Sequence, residues 1–283
     1  AARGEIVFDA GAQGVDVGAD AMAVAIQAFG EGGGGCHGGT YAIYGDMDAP
    51  GTGSSPSGIG IDRGWRRWFA LAALALLLIG LWQVPWLGWL VYPFRVFGTF
   101  VHELSHGLAA IATGGDFLRF AISPDLSGVA HSAGGWRVVV ASAGYIGSAV
   151  FGGVLLVLHA RLLSSRTLLF GLGLVFGVLC LLFVRNLFGV AAGLVITAAL
   201  VVSAAKLSLA ARDLLVDVLA LQLILDGYDS LFTVFALARD SGVRSDAQTM
   251  ADLTWLPATW WAVLWMLVST AILFGTLKLA VRR

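Results

Sequence analysis

The segment FVHELSHGLAA, residues 100 to 110, places His102, Glu103 and His106 within five positions of one apolar stretch. On a helix, residues four apart lie about 40° apart around the axis, so both imidazoles point the same way. Two such rings reach one zinc ion at roughly 2.0–2.1 Å. Glu103 follows His102 directly and sits on the same side, where it can take a proton from an attacking water. The chemistry implied is metal-assisted hydrolysis. The bland alternative is a buried polar cluster that bonds neighbouring helices. Arg95 and Thr99 extend the polar stripe, and Arg95 is equally at home snorkelling to an interface.

A catalytic zinc takes three protein ligands and keeps one open position. No Glu follows Glu103, so the third ligand is not a downstream glutamate. Ala109 and Ala112 occupy the Gly and His positions of the extended HExxHxxGxxH pattern, which is therefore absent. Asp or His remains. Asp226 and Asp229 in LILDGYDS are the candidates at membrane depth, with His131 and His159 as outsiders. If the helices begin near 93 and 213, His106 and Asp226 both lie about 20 Å along their axes. Three segments separate them, so the two helices run in the same direction and the residues can meet at one level. Asp229 is the second choice. Asp213 and Asp217 lie nearer the helix start and read as interfacial.

The elements that must position these groups are membrane helices. The chain has 283 residues, 58% apolar and 12% charged, with mean hydropathy +0.84. A soluble chain carries about a quarter charged residues. From Arg63 onward seven apolar segments are expected, at about 68–91 (with Pro85 inside), 93–113, 136–160, 166–184, 187–204, 213–238 and 255–280. The fold class is thus an all-α polytopic membrane protein of about seven transmembrane helices. Tryptophans gather near segment ends, as interfacial rings do. Gly173–Gly177 and Gly189–Gly193 form GxxxG patterns that permit close helix contact, as do Ala143, Gly147 and Gly152. Arg63, Arg66 and Arg67 favour a cytoplasmic N-terminus. Ionisable residues at bilayer depth mark functional sites, which favours the chemical reading of the polar stripe.

Residues 1–62 read as a separate, flexible, Gly-rich acidic region with a weak strand at EIVF, and residues 63–283 as the transmembrane domain. Cys36 and Cys180 lie in unlike settings and predict no disulfide framework. No basic block or nucleic-acid motif is present, so no nucleic-acid partner is expected. Residues 114–135 carry a short alternating stretch, FLRFAI. They read either as an ordinary surface loop or as a partly inserted hairpin whose free edge pairs with an extended substrate. On the loop reading His131 is an exposed loop residue, while His159 sits at a helix end near the interface. RSDAQTMADL, 244–253, carries a helix-start signal, with Ser245 as cap and Gln248 at the box position, and no chemistry is assigned to it. Asn186 is suited to bonding across helices.

FVHELSHGLAA followed by a distant LDG resembles the site-2 protease family, membrane zinc metalloproteases that cut within or beside the bilayer. SGVAHSAGGWRVVVASAGYIGSAVFGG, residues 127–153, resembles the glycine-rich continuation in bacterial relatives. The resemblance spans about residues 90 to 270. It implies Zn2+ as cofactor, His102, His106 and Asp226 as ligands, and Glu103 as catalytic base. It also implies a membrane-protein substrate and a multi-pass location in a bacterial cytoplasmic membrane. The chain departs from the family in lacking the Asn/Pro-containing lead-in to LDG and in having more helices than the family's three-helix core. Two rival functions use the same residues: an inactive relative, and a transport or proton-relay protein titrating His102, Glu103 and Asp226.

Overall fold

The computed structural model describes residues 5–10, 60–82, 84–237 and 245–281. The expectation of a flexible N-terminal region falls largely outside these residues. Among them, seven long helices coincide with the seven apolar segments: α1 (Gly60–Trp82), α2 (Gly88–Ala112), α3 (Arg137–Arg161), α4 (Ser165–Phe183), α5 (Leu187–Lys206), α6 (Leu209–Leu237) and α8 (Ala258–Val281). A short helix, α7 (Asp246–Thr254), precedes α8. A three-stranded antiparallel sheet joins them, built from β1 (Glu5–Ala10), β2 (Asp116–Ile122) and β3 (Gly128–Ala133) in the order β1-β3-β2.

The boundary between the first two segments differs from the expected one. The chain breaks at Pro85, where a 3-10 turn over Pro85–Leu87 separates α1 from α2. Proline lacks the N–H that would continue the helix, so the break falls there. Pro93 instead lies inside α2, in its second turn. Five helices, α1, α3, α4, α5 and α8, are long and apolar enough to cross a membrane by length and composition. α2 and α6 are as long but carry the ionisable residues, so the expected count of seven spans is not reproduced by that criterion.

Burial is arranged for a lipid solvent. His102, Glu103, His106 and Asp246 are buried, whereas Leu108 and Ile111 on the opposite face of α2 are half exposed. Exposed apolar side chains on this scale need a bilayer to cover them, and buried charges need protein. Small residues set the close approaches. A Cβ at Gly147 of α3 would lie 2.6 Å from Ser105 of α2, and one at Gly173 of α4 would lie 3.2 Å from Leu200 of α5. His159, near the end of α3, bonds Asp217 at 2.9 Å and Asp213 at 3.3 Å, tying α3 to α6 away from the HExxH helix.

Residues 114–135 form a hairpin rather than an irregular loop. Phe117, Phe120, Ile122, Leu126 and Ala130 are buried against the helices. Phe120 and Ile122 alternate onto the buried face of β2, and a register shift between Phe117 and Arg119 turns Phe117 onto it as well. His131 lies on β3 between Val7 and Arg119, so it is a strand residue and not an exposed loop histidine. The outer edge of β2 is closed by the α4–α5 connection. Asn186 donates Nδ2–H to the Ile122 carbonyl at 2.6 Å and accepts its N–H at 3.2 Å, while the Arg185 N–H bonds Phe120 O at 3.1 Å. Thus Asn186 does bond across elements, to a strand. Asn186→Ala strips two partners from the Ile122 backbone. It is expected to lower stability by about 1–3 kcal/mol, read as a reduced thermal midpoint with unchanged helix content.

Candidate metal centre

α2 delivers His102, Glu103 and His106 to the interior because its other face is Leu, Ile and Ala. α3 lies against it, and the HExxH turn meets α3 at Gly144. A Cβ there would clash with His102 Nε2 and lie 2.6 Å from His106 Nε2. Only a glycine leaves the space into which both ring nitrogens point. α6 approaches from a third side and α7 closes a fourth.

Each ring is held from behind. His106 Nδ1 donates to the Val140 carbonyl at 2.6 Å, and His102 Nδ1 to Asp226 Oδ2 at 2.9 Å. Those bonds leave both Nε2 atoms facing the Oδ2 of Asp246, at 2.9 Å from His102 and 3.2 Å from His106. Asp246 sits at the first position of α7, capped by Ser245, whose Oγ accepts the Gln248 N–H at 3.2 Å. The cap signal in RSDAQTMADL therefore has a structural consequence: it aims the first carboxylate of the helix inward.

With each Nδ1 bearing the proton, three electron-rich atoms confront one another: two Nε2 lone pairs and a carboxylate oxygen. Something positive must reconcile them. Ligand atoms around a tetrahedral zinc stand roughly 3.3 Å apart, close to the 2.9 and 3.2 Å by which the carboxylate oxygen is separated from the two ring nitrogens. Asp246 Oδ1 is buried and has no hydrogen-bond partner among the described residues. Donor chemistry, spacing and the Gly144 cradle all fit a small divalent cation. Among the described residues His102, His106 and Asp246 form the group whose donor atoms converge.

The structure brings His102, His106 and Asp226 into one cluster, with Glu103 buried on the same turn of α2. Asp226, however, enters it through the far nitrogen of His102 rather than alongside the converging atoms. The depth match holds with revised starts: His106 is 18 residues from Gly88 (106 − 88) and Asp226 is 17 from Leu209 (226 − 209). The side chain of Asp229 lies outside the described residues. Neither His131 nor His159 joins the group. Sequence reading missed Asp246, whose sole signal was a helix-start pattern in an otherwise polar connection.

Glu103 is fully buried. A Cβ at Gly128, the first residue of β3, would strike its Oε1 and lie 2.7 Å from its Cδ. The Glu103 carboxylate is thus packed against the end of the sheet. Tyr145 of α3 meets His102 edge-on with centroids 4.4 Å apart, and stacks on Trp265 of α8 at 5.0 Å. These rings wall the cluster on the side of α8.

The profile of the family described as Peptidase M50B-like matches residues 70–276. This chain belongs to that family. The match covers well over half of the chain and bears out the site-2 protease resemblance read from HExxH and LDG. No curated protein and no solved structure matches it. As an M50B-like peptidase with five apolar helices, it is a multi-pass membrane protein of the intramembrane metallopeptidase class.

The M50B-like peptidase makes a sharp test of the cradle possible. Gly144→Ala keeps α3 intact, since Ala favours helix over Gly by about 1 kcal/mol. Its methyl group occupies the space before both Nε2 atoms. Overpacking against the two rings is expected to cost about 1–3 kcal/mol of stability, and a cation seated in the cradle should bind at least tenfold more weakly than in the wild type. A fully loaded Gly144→Ala protein would show that the ion lies elsewhere.

Proposed function

We propose that this chain is a zinc-dependent intramembrane endopeptidase acting on membrane-embedded or juxtamembrane peptide bonds. His102 Nε2, His106 Nε2 and the Asp246 carboxylate would hold the zinc, and Glu103 would be the general base. The observation that carries this reading is the convergence of three donor atoms beside a buried glutamate on the HExxH helix. Bound there, zinc supplies Lewis acidity for the scissile carbonyl and lowers the pKa of water. Glu103 takes the proton from the attacking water and returns it to the leaving amine. Asp226 and the Val140 carbonyl fix the tautomers of His102 and His106, so that Nε2 of each ring stays a lone-pair donor. Tyr145, Trp265 and the hairpin keep bulk water and lipid from the cluster.

Asp226 is on this reading a positioning residue rather than the third ligand. The bacterial cytoplasmic membrane fits the resemblance of residues 127–153. A proton relay would use the same buried acids and bases without a metal. The buried glycine cradle before both Nε2 atoms and the convergence of three donor atoms favour a cation.

The experiment is metal analysis of the purified chain, paired with a comparison of membrane peptides from cells carrying wild type or Glu103→Gln. About one zinc per chain, with fragments unique to the wild type, supports the reading. A metal-free protein fully competent in proton transport would overturn it.

A further inference from the structure

The six residues of β1 come from the far N-terminal part of the chain, yet they pair along the whole of β3, from Glu5↔Ala133 to Ala10↔Gly128. That register brings the end of β1 opposite the glycine packed against Glu103. β1 also packs against α2 and α7, the elements that carry the HExxH residues and Asp246.

A protease acts on extended backbone, and an exposed strand edge is the simplest device for holding one. This sheet has few edges to offer. β2 fills one side of β3, and its own outer edge is bonded to Val184, Arg185 and Asn186. The other side of β3 ends at Gly128, which packs against Glu103, and β1 holds it. A strand added outside β1 would lie a further 4.7–4.9 Å away.

We propose that β1 is an in-cis occupant of the substrate strand position, so that an extended peptide engages the site by displacing Glu5–Ala10 from β3. This rests on the peptidase reading above. The chain is then restrained by its own N-terminal strand, and the apparent affinity for substrate is reduced by the fraction of molecules in which β1 is docked.

The test uses the full chain in three forms, all with Glu103→Gln so that binding is read without turnover. One is otherwise unaltered. One carries Val7→Cys and His131→Cys in a Cys36→Ala, Cys180→Ala background, because directly opposed strand residues lie within disulfide reach. One carries Val7→Pro and Phe8→Pro, which removes ladder N–H groups from β1. The probe is a fluorescent peptide of the β1 sequence, EIVFDA, followed by anisotropy. The cysteine pair is expected to oxidise readily and to abolish saturable binding until reduced. The proline form is expected to bind at least tenfold more tightly than the unaltered chain. Failure of the disulfide to form, or equal binding by the locked and proline forms, overturns the proposal. The same three forms with Glu103 restored separate it from the peptidase reading. If binding follows the expected order but no form cleaves a membrane substrate, the strand position stands and proteolysis falls.

Discussion

If the chain is the zinc peptidase proposed above, Asp246→Ala is expected to abolish zinc binding, while Asp226→Asn keeps it. Zinc bound by four protein donors is held by roughly 10–16 kcal/mol, so each donor contributes on the order of 3 kcal/mol. Removal of Asp246 should therefore weaken binding by two to three orders of magnitude. Asp226 acts through the Nδ1 of His102 at 2.9 Å. Loss of such an orienting partner costs about ten- to a hundredfold, which is the expectation for Asp226→Ala. An Asn there still offers a carbonyl oxygen to the ring N–H, so Asp226→Asn should restore most of the affinity. Asp246→Asn supplies no carboxylate and should not. The measurement is competition against a chromophoric zinc chelator, with thermal unfolding as a control for folding. Loss of metal in Asp226→Asn with retention in Asp246→Asn would reverse the two assignments.

Glu103→Gln is expected to separate metal binding from turnover. Glutamine matches glutamate in size, so it fits the space against Gly128 and leaves the rings undisturbed. It cannot accept a proton. General base catalysis contributes about a hundred- to ten-thousandfold, and the turnover of a membrane substrate in proteoliposomes should fall by that factor. Zinc content should stay at the wild-type level and KM should change little. A mutant that cleaves at the wild-type rate would remove Glu103 from the mechanism. One that loses zinc as well would make it a ligand.

These two experiments bear on residues that were unequally visible before folding. His102, Glu103 and His106 are neighbours on one helix, and 3.6-residue periodicity alone puts them on one face. Asp226 was found by depth, because two helices crossing a slab of fixed thickness must match residues at equal distance from their ends. His106 and Asp226 stay level with both helix starts revised, since each start lies nearer the N-terminus by a similar amount. Equal depth brings Asp226 beside His102 but does not fix which ring nitrogen it meets. The side of an imidazole that a carboxylate reaches depends on the rotation of α6 about its axis and on the rotamers of both side chains.

Length and apolar composition determined the helical membrane fold, because a chain with so few charges can satisfy its backbone in lipid only by closing hydrogen bonds within each segment. Local spacing determined the HExxH cluster for the same reason of short range. The placement of Asp246 was decided by tertiary structure alone. It lies 140 residues beyond His106 (246 − 106), in a short helix with no apolar periodicity of its own, and it reaches the rings because α7 docks across α3 and α8. The docking of β1 on β3 is of the same kind. Strand pairing joins segments that need share no pattern, only free backbone groups at matching register, and neither a residue's identity nor its neighbours in sequence records which edge it will find.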